Sequence, residues 1–411
     1  MRDPALTRRR FLRQALATGA LSTSGGLTLD LAGCAPVPAD RDVVAGDAAL
    51  FGLYPRDTHS VDEALSRALE RVDFSWLTPG DSVFVKLACN SGNDHPATTA
   101  PSSVRGMVRA LFDRGAGRVV VGDQAGVQQV RLVAGEERFS STRELMERNG
   151  LLAAIEESGA EAHFFDDQGF DAGYVAATLP EGSSWREPMM IPRIVTEVDH
   201  LVYLPRLSCH GLAGYTHGLK IAIGFLRDDS RLHLHHDAAM FYEKYTDVNL
   251  CDEIQSRLRL TFTFVEKLLL HYGPDSGTVV DADPYIAVAS ANVAVHDLVT
   301  VPILDFVNST TPPGPEPSFG GGPMSDFFNF NFVTWLAERD TGIPWGRPFG
   351  YTPYVPHVWS GAPTGDRALI RAFFDQGGIP SDVTIAQDGA VPDDALKAHM
   401  ERYGGGRFTF G

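Results

Sequence analysis

The chain has 411 residues and carries 35 Lys and Arg against 52 Asp and Glu, a formal net charge of −17. A surface this acidic repels polyanions, which excludes nucleic acid as the partner. The four cysteines include no Cys-x-x-Cys pair, so no four-cysteine iron–sulfur or zinc site can be assembled, and no iron–sulfur cluster is expected.

In chain order, residues 1–33 read as a targeting segment. Thr7-Arg8-Arg9-Arg10-Phe11-Leu12 resembles a twin-arginine export signal, and Leu31-Ala32-Gly33-Cys34 resembles the lipobox at which a lipoprotein is cut and acylated. The resemblance implies passage through the twin-arginine machinery, a lipid anchor at Cys34, and a membrane-anchored lipoprotein facing the periplasm or cell exterior. Residues 34–44 would then be a linker.

From 45 to 306 short apolar runs rich in Val, Ile and Phe alternate with longer amphipathic segments. That pattern predicts an α/β domain with a mainly parallel sheet covered by helices. Residues 81–87 and 118–123 read as strands, and 102–114 and 142–158 as helices. A strand over 199–205 ends just before a glycine-rich loop, and residues 220–226 begin a helix. Residues 247–271 read as a long helix, 272–277 as a turn, the stretch through 290 as a strand pair, and 292–304 as a helix. The Pro/Gly-rich stretch 307–325 reads as a linker or lid. Residues 326–411 read as a C-terminal α/β segment packing on the main domain, with a helix, strand and helix from 367 to 401. The length suggests two lobes with the site between them.

The loop Cys209-His210-Gly211-Leu212-Ala213-Gly214-Tyr215-Thr216-His217-Gly218-Leu219-Lys220 is the richest in chemistry. In an open α/β sheet, ligands gather at the carboxyl ends of strands, which is where this loop falls. His210 is a candidate acid/base, and Lys220 a nucleophile if an apolar pocket lowers its pKa. His217, His235 and His236, with Asp237, could ligate a divalent metal. Arg206 and Arg231 are candidates for a substrate carboxylate or phosphate. Plainer readings stand beside these: His233, His235 and His236 as a solvated helix face or capping cluster, Lys220 as a carboxylate partner, and the arginines as partners of Asp228, Asp229 and Asp237. Residues 273–277 could bind an anion through turn amides.

The pieces Val85-Lys86-Leu87 with Asn90, Thr98-Thr99-Ala100-Pro101, Val119 to Asp123, the His210–Lys220 loop and Gly273-Pro274-Asp275-Ser276-Gly277 resemble the domain-of-unknown-function family 362 across most of residues 80 to 300. That family implies no general activity. A more distant resemblance links His210, Ala213, Gly214, Tyr215, Thr216, Gly218 and Lys220 to the loop of the nickel-dependent lactate racemase family, from which Cys209 and His217 depart. It implies that Lys220 bears a nickel-pincer nucleotide as a thioamide, with Gly214, Tyr215, Thr216 and Gly218 around it. His236 would then ligate nickel, and His210, with His95 as second histidine, would move protons. The expected function is racemisation or epimerisation of a small 2-hydroxy acid or sugar. The competing readings are a metal-dependent hydrolase or lyase built on His210, His217, His235, His236 and Asp237, and a periplasmic lipoprotein that binds an acidic or sugar ligand.

Overall fold

The computed structural model describes residues 27–30, 32–36, 47–314 and 361–411, except Gln128, residues 136–139, Leu212, His236 and Ala238. Residues 1–26 of the segment read as an export signal, most of the 307–325 stretch and residues 326–360 of the C-terminal segment therefore lie outside the described residues.

The strands and helices follow in chain order: β1 (Leu27–Asp30), β2 (Ala32–Pro36), which contains Cys34, β3 (Ala48–Tyr54), α1 (Val61–Glu70), β4 (Ser82–Leu87), α2 (Pro101–Asp113), β5 (Arg118–Asp123), α3 (Thr142–Arg148), α4 (Leu151–Glu157) and β6 (Glu161–Phe164). Next come β7 (Tyr174–Ala176), β8 (Met190–Pro192), α5 (Ile194–Glu197), β9 (His200–Leu204), β10 (Ser208–His210), β11 (Gly214–Thr216), α6 (Gly218–Ile221), α7 (Asp228–His235), α8 (Phe241–Leu250) and α9 (Asp252–Gln255). The chain closes with β12 (Leu258–Leu270), β13 (Thr278–Ser290), α10 (Val293–Thr310), α11 (Arg367–Ala372), β14 (Val383–Pro392), α12 (Asp394–Gly404) and β15 (Phe408–Phe410).

The protein is α/β. Its main sheet has the order β15-β14-β3-β13-β12-β9-β4-β5-β6, and along this path only β13 runs antiparallel to its neighbours. Helices cover the sheet, so its strands are apolar on both faces. In β4 the alternation is visible residue by residue: Phe84 enters one apolar layer, and Val83 and Val85 enter the other. The C-terminal residues join this same sheet, β14 lying parallel to β3 from Thr384↔Ala48 to Gly389↔Leu53.

Local signals set the helix ends. Ser60 and Glu63 form a capping box at α1, and the Asn292 side chain accepts from Ala294 and Val295 at the start of α10. The helix expected over 142–158 is two helices, broken at Asn149 and at Gly150, whose φ of 78° is the left-handed conformation glycine supplies cheaply.

Two expectations need correction. The long helix read over 247–271 ends early, and residues 258–270 form strand β12, buried over most of its length. Thr261-Phe262-Thr263-Phe264-Val265 is a β-branched and aromatic run that packs well on a pleated surface between β9 and β13, and this outweighs the helical spacing of the leucines. The strand pair through Ser290 is instead the single 13-residue strand β13. Among the described residues no helix is long and apolar enough to cross a membrane.

Candidate functional site

The carboxyl ends of β4, β5, β9 and β12 deliver four segments to one edge of the sheet: Cys89 and Asn90, Asp123 and Gln124, Arg206, and the loop 271–277. The glycine-rich loop arrives there as a small hairpin. Ser208, Cys209 and His210 pair antiparallel with Thr216, Tyr215 and Gly214, and Ser208 also pairs with Leu269 of β12. Gly214 takes a φ of 80° at the turn. Gly273 packs so tightly on this hairpin that a Cβ there would stand 1.8 Å from the Cys209 carbonyl oxygen.

Lys220 is half-buried on α6. Burial pushes its amine down to about 7, helped by the neighbouring Arg206 and Arg231 charges and opposed by Asp275. Among the described residues its Nζ makes no hydrogen bond or ion pair. An amine poised there is partly neutral at physiological pH and therefore nucleophilic.

Arg206 is buried, and its Nη1 donates to the carbonyls of Pro96 and Pro274 at 2.8 Å each. Burial lowers even this guanidinium to about 10. The Asp275 carboxylate, whose charge opposes the lowering of both cations, accepts from Asn90 Nδ2 through both oxygens at 2.8 and 2.9 Å. Asn93 Nδ2 donates to the Asp275 carbonyl at 3.1 Å, which fixes the loop as well as the side chain.

His210 lies within the field of Lys220, Arg206 and His235. Burial first, and then these cations, hold it well below the usual imidazole range. The Ala213 N–H donates to His210 Nδ1 at 3.2 Å, so the neutral ring carries its proton on Nε2. The His235 ring shows the opposite tautomer, with Nδ1 donating to the Arg231 carbonyl at 2.7 Å. The neutral His210 ring thus lies within the field of the Lys220 amine.

The other residues singled out in the sequence are placed differently. Arg231 is buried and spends four N–H groups on the carbonyls of Leu226, Ala125, Gln124 and Gly224, so it clasps the segment after Lys220 to the end of β5. Its hydrogen bonds go to carbonyls, and its charge acts on the Asp228 carboxylate without a direct ion pair. Arg227 is the arginine that pairs with Asp229, at 2.7 Å. His217 points into the core: its Nδ1 meets Thr300 Oγ1 at 3.1 Å, its ring lies on Tyr215, and burial pushes it down to about 3. Tyr215 is buried, with its hydroxyl on Asp366 at 2.7 Å, and Thr216 is buried too. At Gly218 a Cβ would stand 2.9 Å from Asp297 Oδ1, so the missing side chain serves packing against α10. Of the four residues expected around a cofactor, only Gly214 lies at the hairpin turn.

His95 precedes Pro96, whose carbonyl Arg206 holds. Its Nδ1 bonds the Thr98 carbonyl at 2.9 Å, Nε2 is buried without a partner, and burial lowers its pKa. His236 lies outside the described residues. Among the described residues no three His, Cys, Asp or Glu side chains converge as a metal site, so His217 and His235 are not brought together as ligands.

Four residues given no site role in the sequence complete the arrangement: Asn90 and Asp275, named only within the family resemblance, and Asn249 and Asp297. The turn 273–277 was the one local signal, read for its amides where its carboxylate is what matters.

Residues 83–301 match the family model described as a domain of unknown function, DUF362. No curated protein matches the chain. Among solved structures, a Thermotoga maritima protein is similar at 17% identity and a TM-score of 0.34, over 50% of this chain and 50% of that one. The lactate racemase apoprotein of Thermoanaerobacterium thermosaccharolyticum is similar at 16% identity and a TM-score of 0.37, over 61% of this chain and 56% of that one. The match thus spans about half the length of these solved relatives.

Proposed function

From a chain that belongs to the DUF362 family, whose name carries no activity, we propose an enzyme of the racemase or epimerase type acting on a small 2-hydroxy acid or sugar. The observation that carries this reading is the Lys220 amine, pushed to about 7 and left without a hydrogen-bond partner among the described residues, beside a neutral His210.

Lys220 and His210 fit the roles that the loop resemblance assigns them. A neutral amine is what formation of a thioamide at Nζ requires, so Lys220 would hold the nickel-pincer nucleotide. When bound, that group supplies a hydride acceptor. His210, with its proton on Nε2, would deliver or receive the proton at the substrate hydroxyl, and Arg206 would steer a carboxylate toward the pocket. The resemblance gives the metal ligand as His236. The glycine cradle fits less well, because Gly218 is filled by Asp297.

The twin-arginine pattern and Cys34 support an exported, lipid-anchored form of this enzyme. The N-terminal peptide of the mature protein would then begin at an acylated Cys34.

The test is the denatured mass of the protein from its own host, with peptide mapping across Lys220. A nucleotide-sized adduct on that lysine, absent from Lys220→Ala, is the expected result. A bare lysine in protein that still turns over a hydroxy acid or sugar would overturn the pincer reading. A bare lysine in protein that binds such ligands without converting them would favour a binding lipoprotein.

A further inference from the structure

The lysine at the centre of this site is presented by a helix too short to hold itself. α6 is a four-residue turn, and a single turn fixes several backbone dihedrals for little hydrogen bonding in return. Its support comes from two other helices. From α10, Asp297 accepts from the Gly218 N–H through Oδ1 and from the Leu219 N–H through Oδ2, each at 2.8 Å. From α8, Asn249 Nδ2 donates to the Leu219 carbonyl, also at 2.8 Å. Leu219 is therefore held at both its N–H and its C=O, and Lys220 is the next residue along.

The support is itself braced. His296 Nδ1 bonds Asp297 Oδ1 at 2.9 Å, and His296 Nε2 meets Thr263 Oγ1 at 2.9 Å. Asp297, His296, Asn249 and Thr263 are all buried. No side chain would fit between α6 and Asp297, as the contact at Gly218 shows. A carboxylate buried this deeply is costly unless its lone pairs are used, and here three donors use them.

We propose that Asp297, braced by His296, and Asn249 are positioning residues that hold the Lys220 amine in its pocket beside Arg206 and His210. The inference rests on the reading of Lys220 as the reactive amine.

The test uses the full chain with an unmodified Lys220, labelled by limiting acetic anhydride across a pH series, with peptide mass spectrometry following Lys220 and Lys86. Lys86 is buried in an ion pair and reports whether the core is intact. In the wild type the Lys220 labelling midpoint should lie near 7. In Asp297→Asn and Asn249→Ala it should rise toward the ordinary lysine value of ~10, with Lys86 still protected. Unchanged midpoints with Lys86 protected would overturn the positioning role and leave the reading of Lys220 intact. A wild-type midpoint near ~10 would instead sink the reading of Lys220, and the proposal with it. If one variant exposes Lys86, the other decides; if both do, these residues serve the whole fold and the proposal fails.

Discussion

Lys86 and Asp123 form an ion pair 2.6 Å long, buried at the carboxyl ends of the adjacent strands β4 and β5. The lysine also donates to the Leu87 carbonyl, and the aspartate accepts from the Cys89 and Gln124 N–H groups, at 2.7 to 2.8 Å. Gly224, four residues after Lys220, lies directly over the pair. The floor beneath the candidate site is therefore ionic. Lys86→Met strands the Asp123 charge in the core and should cost ~3–5 kcal/mol of stability in urea unfolding. A loss below ~1 kcal/mol would show that the two backbone donors suffice alone.

Gly224→Ala tests the contact from the other side. A Cβ at 224 would stand 2.4 Å from both Lys86 Nζ and Asp123 Oδ1, and Arg231 grips the Gly224 carbonyl at 2.8 Å, so the backbone has little room to yield. We expect a loss of ~1–3 kcal/mol by thermal or urea denaturation, the usual cost of overpacking a core.

The depressed Lys220 makes stability depend on pH with a definite sign. The amine titrates at about 7 in the folded chain and at ~10.4 in the unfolded one, so between these values the unfolded chain binds more protons. Stability from this group rises with pH across that window. Below it the cost of a half-buried charge is present in full. Lys220→Met should remove this slope, seen as a wild-type-minus-variant Tm difference that increases from pH 7 to pH 10. A flat difference would show that the amine titrates normally.

Asp228 gives the opposite sign. Burial raises its carboxyl from 3.8 to about 6 against the pull of Arg231, while its oxygens accept from Gln124 Nε2 at 2.7 Å and the Leu132 N–H at 2.6 Å. The folded state holds a proton that the unfolded chain has released. Stability from this group is complete below ~4 and is lost as pH rises through about 6. Asp228→Asn, neutral throughout, should therefore gain on the wild type between pH 4 and pH 7 in paired thermal melts.

The βαβ elements from β4 to β5, the strand leading to Arg206 and the helix beginning near Asn292 were legible because their apolar periods match their structure. Residues 258–270 were not, since leucines at 258, 260, 268, 269 and 270 fit a helix as readily as a strand, and only pairing with β9 and β13 decides. In the site, Lys220, Arg206 and His210 were recognisable from residue type next to a strand end. Asn90, Asp275, Asn249 and Asp297 were not, because they come from four distant segments that the topology alone brings together. His217 and Arg231 have suitable chemistry but face the core and backbone carbonyls, a direction that local sequence does not encode.

The order of the sheet has a consequence for synthesis. Strand β3, nearly all of it buried, has as partners β13 and β14, more than two hundred residues further along the chain. A nascent polypeptide thus carries an apolar strand with no mate until residues 278–290 emerge, and it gains the second only when β14 has left the ribosome. Pairing this non-local is slow and exposes strand edges to neighbouring chains meanwhile. Truncation before residue 383 would leave one side of β3 permanently open, so the aggregation tendency of C-terminally shortened chains should be set by a segment near residue 50.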